Sequence, residues 1–333
     1  MVYKLFSYIF RHQLLTVFLI VIVGWLVFQL RDILTALFIS YIIMASLMPI
    51  VLFFRSKGVP RLISVLIPYL TTLLVLFILI FPIIPFALSQ VQSLLNNLPD
   101  FVDKAGRTLG FSIDANQIQN ALSSEASNLG KNAFAVTTAV FGGVFSIVAV
   151  LIVAFYLLLY HDKLKHTIAD FFPRKDREDI FEILSQVDDK LGRWFRGQLT
   201  LGVVIGLMTF VALSVLGLPY ALPLAVLAGM LEAIPTLGPT IAAVPAVIVA
   251  LTISPSLAIL VAITYVIIQT LENNLIVPKI MQRAVGLNPV IVILGVMVGA
   301  NIMGILGALL SIPFLSFIIV LYTSLEKKFD KEK

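Results

Sequence analysis

Long runs of apolar residues, separated by short polar stretches, dominate the first two thirds of the chain. A transmembrane helix needs about 20 consecutive apolar residues. Runs close to that length cover residues 14–30, 33–54, 62–88, 134–160 and 199–216. This pattern predicts an all-α polytopic membrane protein.

Apolar runs in the last third are shorter and are interrupted by proline and glycine. They cover residues 223–251, 256–271, 289–302 and 305–324. Backbone that leaves helical geometry at membrane depth is tolerated only inside the protein or along a wet cavity. We therefore predict a broken or re-entrant helical hairpin at 223–251, and about eight membrane segments in all.

The charges between the runs predict the orientation. The N-terminal residues and 55–61 carry Lys and Arg without an acid, 161–196 has eight Lys and Arg, and the C-terminal tail has four Lys, whereas 89–133 leans acidic. The positive-inside rule then places both termini in the cytoplasm and 89–133 outside a cytoplasmic (inner or plasma) membrane. The predicted layout is three spans in 1–88, an external helical segment at 89–133, a fourth span at 134–160, a cytoplasmic amphipathic segment at 161–197, a C-terminal membrane bundle at 198–324 and a cytoplasmic tail at 325–333.

One amphipathic stretch lies in the basic region before residue 197. Its apolar positions are spaced alternately four and three apart, at Ile180, Leu184, Val187, Leu191 and Trp194. This spacing marks one face of a helix. The face is predicted to lie on the membrane surface, on another subunit of a homo-oligomer, or on the protein's own spans.

Composition excludes several classes of protein. Sixty per cent of the 333 residues are hydrophobic, only 12% are charged, and the mean hydropathy is +1.05. An ordinary soluble domain has roughly 25% charged residues, so a soluble enzyme is excluded. The net charge of +5 fits cytoplasmic Lys and Arg better than nucleic-acid binding.

Motifs for enzymatic chemistry are absent from the sequence. There is no cysteine, which excludes disulfides, thiolate nucleophiles and cysteine-ligated metals. No phosphate-binding loop, His-Glu-x-x-His pair or Gly-x-Ser-x-Gly turn occurs either. We expect no enzymatic activity, no cofactor and no metal site.

A single carboxylate interrupts the apolar region of the C-terminal half. Glu232 is the only charged residue between Arg196 and Glu272. An ionisable group at membrane depth is costly unless it is paired or hydrated. The residues that break the helix after it are Pro235, Gly238 and Pro239. Because such a break frees carbonyl groups that can coordinate a cation or a polar solute, we predict a binding or gating site here. The alternative is a Glu232 that only caps a freed amide.

A second polar group follows on the next apolar helix. It comprises Gln269, Glu272, Asn273, Asn274, Pro278 and Lys279. Gln269, Glu272 and Asn273 stand at i, i+3 and i+4, so a regular helix would place them on one face. Tyr265 would extend that face one turn back from Gln269. We predict that this face looks into the protein or a cavity; the alternative is a helix end at the membrane interface with a snorkelling Lys279.

Small residues recur at helical spacing. Gly-x-x-x-Gly pairs occur at Gly202 and Gly206 and at Gly295 and Gly299. Such pairs let helix backbones approach closely. We therefore expect these segments to pack tightly against neighbouring helices.

Four motifs in sequence order carry a family resemblance. They are Glu232-x-x-Pro235-x-x-Gly238-Pro239, Glu272-Asn273-x-x-x-x-Pro278-Lys279-x-Met281, Val285-Gly286-Leu287-x-Pro289 and Gly304-Ile305-x-Gly307-Ala308-x-x-x-x-Pro313. On these motifs the chain resembles the AI-2E family of bacterial and archaeal membrane proteins, which is named for autoinducer-2 export and includes PerM-like permeases. The resemblance implies a multi-span permease. It also implies either autoinducer-2 efflux or sodium(lithium)/proton antiport, the activities assigned to family members.

These observations predict a secondary transporter. It would export a small polar, autoinducer-2-like solute or exchange a monovalent cation for a proton, with Glu232 and Glu272 carrying the proton or cation. The expected partners are the lipid bilayer, that solute or cation, and further copies of the chain in a homo-oligomer, but not nucleic acid. The alternatives are a passive pore-like facilitator and a non-transporting membrane scaffold.

Overall fold

The computed structural model describes residues 13–80, 133–234, 238–281 and 288–331. Every regular element in these ranges is helical. The α-helices are α1 (Gln13–Gln29), α2 (Arg31–Ser56), α3 (Arg61–Ile80), α4 (Ala133–Asp170), α5 (Arg177–Val215), α6 (Ala221–Leu231), α7 (Gly238–Ile253), α8 (Pro255–Leu271), α9 (Val277–Met281) and α10 (Pro289–Lys331). A 3-10 turn (Arg174–Asp176) precedes α5, and a π-helical turn (Glu272–Ile276) joins α8 to α9.

By length and composition, five segments of the described residues can cross a bilayer. They are Arg31–Ser56, Phe145–Asp170, Arg174–Val215, Pro255–Met281 and Val290–Ser324. Three further apolar helices are shorter, at Arg61–Val75, Ala221–Leu231 and Gly238–Ile253. The described part of this polytopic membrane protein is therefore all-helical with five candidate spans. The expected total of about eight segments stays a prediction.

The predicted break within 223–251 separates α6 from α7. At 1.5 Å per residue, the 11 residues of α6 and the 16 of α7 extend about 16 and 24 Å. A bilayer core is about 30 Å thick. Neither helix has the length of a straight span, as expected for a broken hairpin.

A second hairpin lies inside α10. Met303 and Gly304 leave helical geometry, and Gly304 takes a positive φ of 61° that favours glycine. A Cβ added at Gly299 or at Gly307 would collide with the other residue's backbone, and Gly295 lies against Leu315. These contacts show that the segments 289–302 and 305–331 fold back on each other. Val290–Ser324 is therefore not one straight span.

The amphipathic segment and the apolar run after it form one continuous helix, α5. In its first half most exposed residues are polar, among them Glu178, Glu182, Asp189 and Arg193. From Leu199 onward most exposed side chains are apolar, among them Leu199, Val203, Leu207, Val211 and Val215. The change in the exposed face, rather than a break in the helix, marks where lipid contact begins.

The predicted apolar face of the first half of α5 packs inside the protein. Val187, Leu191 and Trp194 are buried in one cluster with Ile42 and Ala45 of α2 and with residues of α10. Ile180 and Leu184 are half-buried. Of the three predicted positions for this face, the structure thus shows contact with the protein's own helices.

Two other buried clusters organise the molecule. One joins α2, α3 and α4, where Ser40 Oγ donates to Val150 O (2.9 Å) and Tyr69 OH donates to Leu151 O (2.7 Å). The other joins α5, α6, α7 and α8, and it includes Leu213, Ala228 and Val261. This second cluster borders the residues that the sequence predicted as a site.

Two helix ends differ from the expected layout. The fourth apolar run was predicted to end at residue 160, but α4 continues to Asp170. The expected tail at 325–333 begins as a continuation of α10, which runs to Lys331. The predicted external segment lies outside the described residues except for its last residue, Ala133.

Candidate functional site: a buried carboxyl pair

Glu232 lies directly after α6, at the broken hairpin. Its backbone N–H donates to Ala228 O (3.1 Å), and its carbonyl accepts a hydrogen bond of 2.6 Å from Gln198 Nε2 of α5. A Cβ added at Gly238, the first residue of α7, would collide with the Leu231 carbonyl and crowd the Glu232 nitrogen. Close backbone contact at this glycine therefore helps to fix Glu232, whose side chain is only 2% exposed.

Gly202 and Gly229 set the position of α6 against α5. Each glycine lies against the backbone carbonyl of the other, and Gly206 lies against Ala225 O one turn further along. The two helices thus run antiparallel with backbones in close contact, as glycine pairs permit. This packing holds Gln198 against the end of α6.

Glu272 is positioned by the π-helical turn that begins with it. The turn contains five residues, Glu272–Ile276, between the regular helices α8 and α9. A π turn shifts the helical register of the residues around it, and such turns are frequent at functional sites. Glu272 is buried at 3% exposure.

The side chains of Glu232 and Glu272 meet in the core. Their carboxyl groups lie close enough to interact with each other. In addition, Oε2 of each side chain is buried and has no donor among the described residues. A hydrogen bond between two carboxyl groups requires a proton on one of them, so this geometry suits a pair that shares one proton.

The predicted residues around the pair separate into two groups. Gly238 and Pro239 are buried at the start of α7, and Gln269 is half-buried. Asn273, Asn274, Pro278 and Lys279 are exposed. Asn274 Nδ2 donates to Thr270 O of its own helix (2.8 Å). Pro235 lies outside the described residues.

The predicted common face of Gln269, Glu272 and Asn273 is wrong for Asn273. Successive helical residues lie about 100° apart, so Asn273 lies beside the inward stripe that Val261, Tyr265, Ile268 and Glu272 form. Glu272 therefore faces the core while Asn273 faces outward.

The donor set does not form a multidentate metal site in the described part of the chain. No group of three or more histidine or acidic side chains is placed there to hold a metal ion.

Sequence reasoning missed a second cluster of buried charges. Asp188 of α5 accepts hydrogen bonds from Tyr41 OH, from His161 Nε2 (2.8 Å) and from Lys165 Nζ (2.5 Å). All four side chains lie where α2, α4 and α5 meet. Asp188 follows Val187 directly and precedes Leu191 by three residues, and both belong to the predicted apolar face. This position could have indicated that the carboxylate faces inward.

Comparison with known sequences identifies the family of this chain. The sequence model described as AI-2E family transporter matches residues 14–327. The chain belongs to the AI-2E family. It is 31% identical over 276 residues to "Putative transport protein YueF" of Bacillus subtilis, covering 78% of this chain and 75% of that protein.

Further members of the AI-2E family show similar coverage. "Putative transport protein YrrI" of Bacillus subtilis is 29% identical over 301 residues, covering 87% of this chain and 85% of that protein. "Putative permease PerM" of Escherichia coli is 25% identical over 265 residues, covering 73% of each chain. Membership in this transporter family supports a membrane transport role.

Proposed function

We propose that this AI-2E protein is a proton-coupled secondary transporter and that Glu232 and Glu272 form its coupling site. The observation that carries the proposal is the buried contact between the two carboxyl groups. Each also has an oxygen without a donor among the described residues. A buried polar group without a partner costs free energy, so a native protein retains it for a reason such as ligand binding.

The chemistry of the pair explains how a proton and a cargo would be coupled. With one shared proton, the pair carries one negative charge. Loss of that proton would leave two like charges in contact within a weakly polar core, which is unfavourable. A monovalent cation bound between the oxygens would offset that charge, so binding of the cation and release of the proton favour each other.

The broken hairpin supplies the mobile part of this mechanism. The site lies where α6 ends, against the first residue of α7, and both helices are shorter than a bilayer core. Discontinuous helices at a binding site are typical of secondary transporters. The same proton-coupled site would serve export of a small polar solute if the solute, rather than a metal cation, interacts with the deprotonated pair.

Flux in proteoliposomes tests the proposal. Vesicles that contain a pH-sensitive dye are given imposed gradients of Na⁺, Li⁺ or K⁺, and a second set is loaded with autoinducer-2 under an imposed pH gradient. We expect saturable, gradient-dependent flux in one set, and loss of the coupling in Glu232→Gln and Glu272→Gln. Glu326→Gln, which changes an exposed carboxylate of α10, is the matched control.

Two results would contradict the proposal. Flux that is linear in cargo and independent of the pH gradient would indicate a passive pore. Full coupling in both Gln variants, at equal amounts of reconstituted protein, would show that the carboxyl pair does not carry the proton.

A further inference from the structure

Some of the buried polar atoms without partners lie on the helices that border the carboxyl pair. Seven such side-chain atoms occur in the described part of the chain. Four belong to Glu232, Glu272, Thr209 and Tyr265, which lie after α6, in the π turn, on α5 and on α8. The other three belong to Arg177, Trp194 and Ser316. The helices that border the proposed coupling site thus carry two orphaned hydroxyl groups in addition to the two carboxyl groups.

Thr209 lacks a hydrogen bond that six other helical threonines make. In six threonines the side-chain hydroxyl donates a hydrogen bond to the backbone carbonyl four residues earlier: Thr35, Thr72, Thr200, Thr264, Thr270 and Thr323. Thr209 makes no such bond although it is 0% exposed. Its hydroxyl therefore lacks the local partner that a threonine in a helix ordinarily finds.

Helical spacing places Thr209 and Tyr265 on the faces that lead away from the pair. On α8, Tyr265 precedes Glu272 by two turns, about 10 Å along the axis. On α5, Thr209 follows Gln198 by three turns, about 16 Å. Gln198 and Thr209 are both buried, as are Leu201 and Ile205 between them, so one face of α5 carries the whole series.

The hydroxyl groups of Thr209 on α5 and Tyr265 on α8 lie on the same side of the glutamate pair. At one end, Gln198 of α5 contacts Glu232, which contacts Glu272 after α8. At the other end, Leu213 of α5 belongs to one buried cluster with Val261 and Tyr265 of α8. The helices therefore run in opposite directions, and the hydroxyl groups of Thr209 and Tyr265 lie between these two ends.

We propose that Thr209 and Tyr265 form a second, uncharged binding level on the transport route, beyond the glutamate pair. This inference rests on the proposed transport function. Hydroxyl oxygens at this level would replace part of the hydration of a monovalent cation, or accept and donate hydrogen bonds to a small polar solute, as it moves to or from the carboxyl groups. The oxygens are then unpartnered because the cargo is their partner.

The absence of cysteine allows a direct test of the route. Thr209→Cys would be the only thiol in the chain, and it is reacted with a small cationic methanethiosulfonate reagent applied to vesicles. The control is Leu158→Cys, equally buried at 1% exposure but in the cluster of α2, α3 and α4. We expect Thr209→Cys to react at least about tenfold faster than the control, since only a residue on a water-accessible route meets the reagent in the open states.

Two variants that keep the side-chain shape provide a second test, by thermal stability and transport kinetics. Tyr265→Phe and Thr209→Val remove only the orphaned hydroxyl, so the melting temperature should be unchanged or higher. For the cation that the wild type transports among Na⁺, Li⁺ and K⁺, KM should rise by roughly fivefold to tenfold, because a hydrogen bond or ligand to a dehydrated cargo is lost. A purely structural hydroxyl would leave both KM and ion selectivity unchanged.

The outcomes separate this inference from the coupling site. Labelling of Thr209→Cys at the rate of Leu158→Cys overturns the route, and so does unchanged KM and selectivity in both hydroxyl-deletion variants. Fast labelling together with intact coupling in Glu232→Gln and Glu272→Gln keeps the route and rejects only the coupling role of the glutamates.

Discussion

Replacing Asp188 by asparagine should destabilise the protein more than any exposed charge change on the same helix. Asp188 is 8% exposed and accepts hydrogen bonds from Tyr41, His161 and Lys165. The asparagine side chain has nearly the same size, but it has no charge and one acceptor oxygen fewer. Lys165, itself 9% exposed, would then lose its opposite charge and keep its hydrogen bond to Ser185 (3.0 Å) and its contact with the Phe181 ring.

The size of the effect follows from the burial of the ion pair. Removing one partner of a buried pair costs about 3–5 kcal/mol, because the other charge stays buried without compensation. For a chain of this length, 1 kcal/mol lowers the melting temperature by roughly 2 °C. We therefore expect Asp188→Asn to melt about 6–10 °C below the wild type.

The neighbouring residue supplies a matched control. Asp189 has a side chain that is 55% exposed and pairs with Arg193 one turn along the same helix. Such an exposed pair contributes only about 0.3–0.5 kcal/mol, so Asp189→Asn should lower the melting temperature by about 1 °C or less. Both variants are measured by thermal unfolding in the same detergent.

A double substitution refines the test. Lys165→Met combined with Asp188→Asn removes both charges, so the double variant should be more stable than Asp188→Asn alone. Equal melting temperatures for Asp188→Asn and Asp189→Asn would refute the reasoning, because burial would then not determine the energy of the charge cluster.

Three further predictions concern packing and topology. Gly229→Val should destabilise the protein by about 1–3 kcal/mol, because the added side chain meets the Gly202 backbone. The control Gly24→Ala should leave thermal unfolding unchanged, because no atom lies within 4 Å of the new Cβ. Gly299→Leu should open the hairpin inside α10, and cross-linking of cysteines placed at Gly295 and Ser311 should then be lost; persistent cross-linking would argue against glycine contact as its cause. A single cysteine at Ser112 should react with a membrane-impermeant reagent from outside the cell, as the charge pattern predicts; reaction only after permeabilisation would reverse the orientation.

Much of the secondary structure is determined by the sequence alone. The apolar runs predict α1, α2 and α8 to within a few residues, because lipid leaves a spanning backbone few alternatives to a regular helix. The proline and glycine residues after Glu232 correctly place the break between α6 and α7. The gap between the runs 289–302 and 305–324 coincides with the non-helical residues Met303 and Gly304. The ordered motifs likewise suffice to identify the AI-2E family.

The candidate site depends on contacts that no local pattern contains. Glu232 and Glu272 are 40 residues apart in sequence, and only the packing of α6 and α8 against α5 brings their carboxyl groups together. Packing likewise decides that Glu272 is buried while the adjacent Asn273 is exposed. Similarly, Asp188 gains its partners on α2 and α4 only when three helices meet. Hydrophobic periodicity indicates which face of each helix is buried, but it does not indicate which other helix that face contacts. Tertiary packing therefore decides which buried polar groups meet.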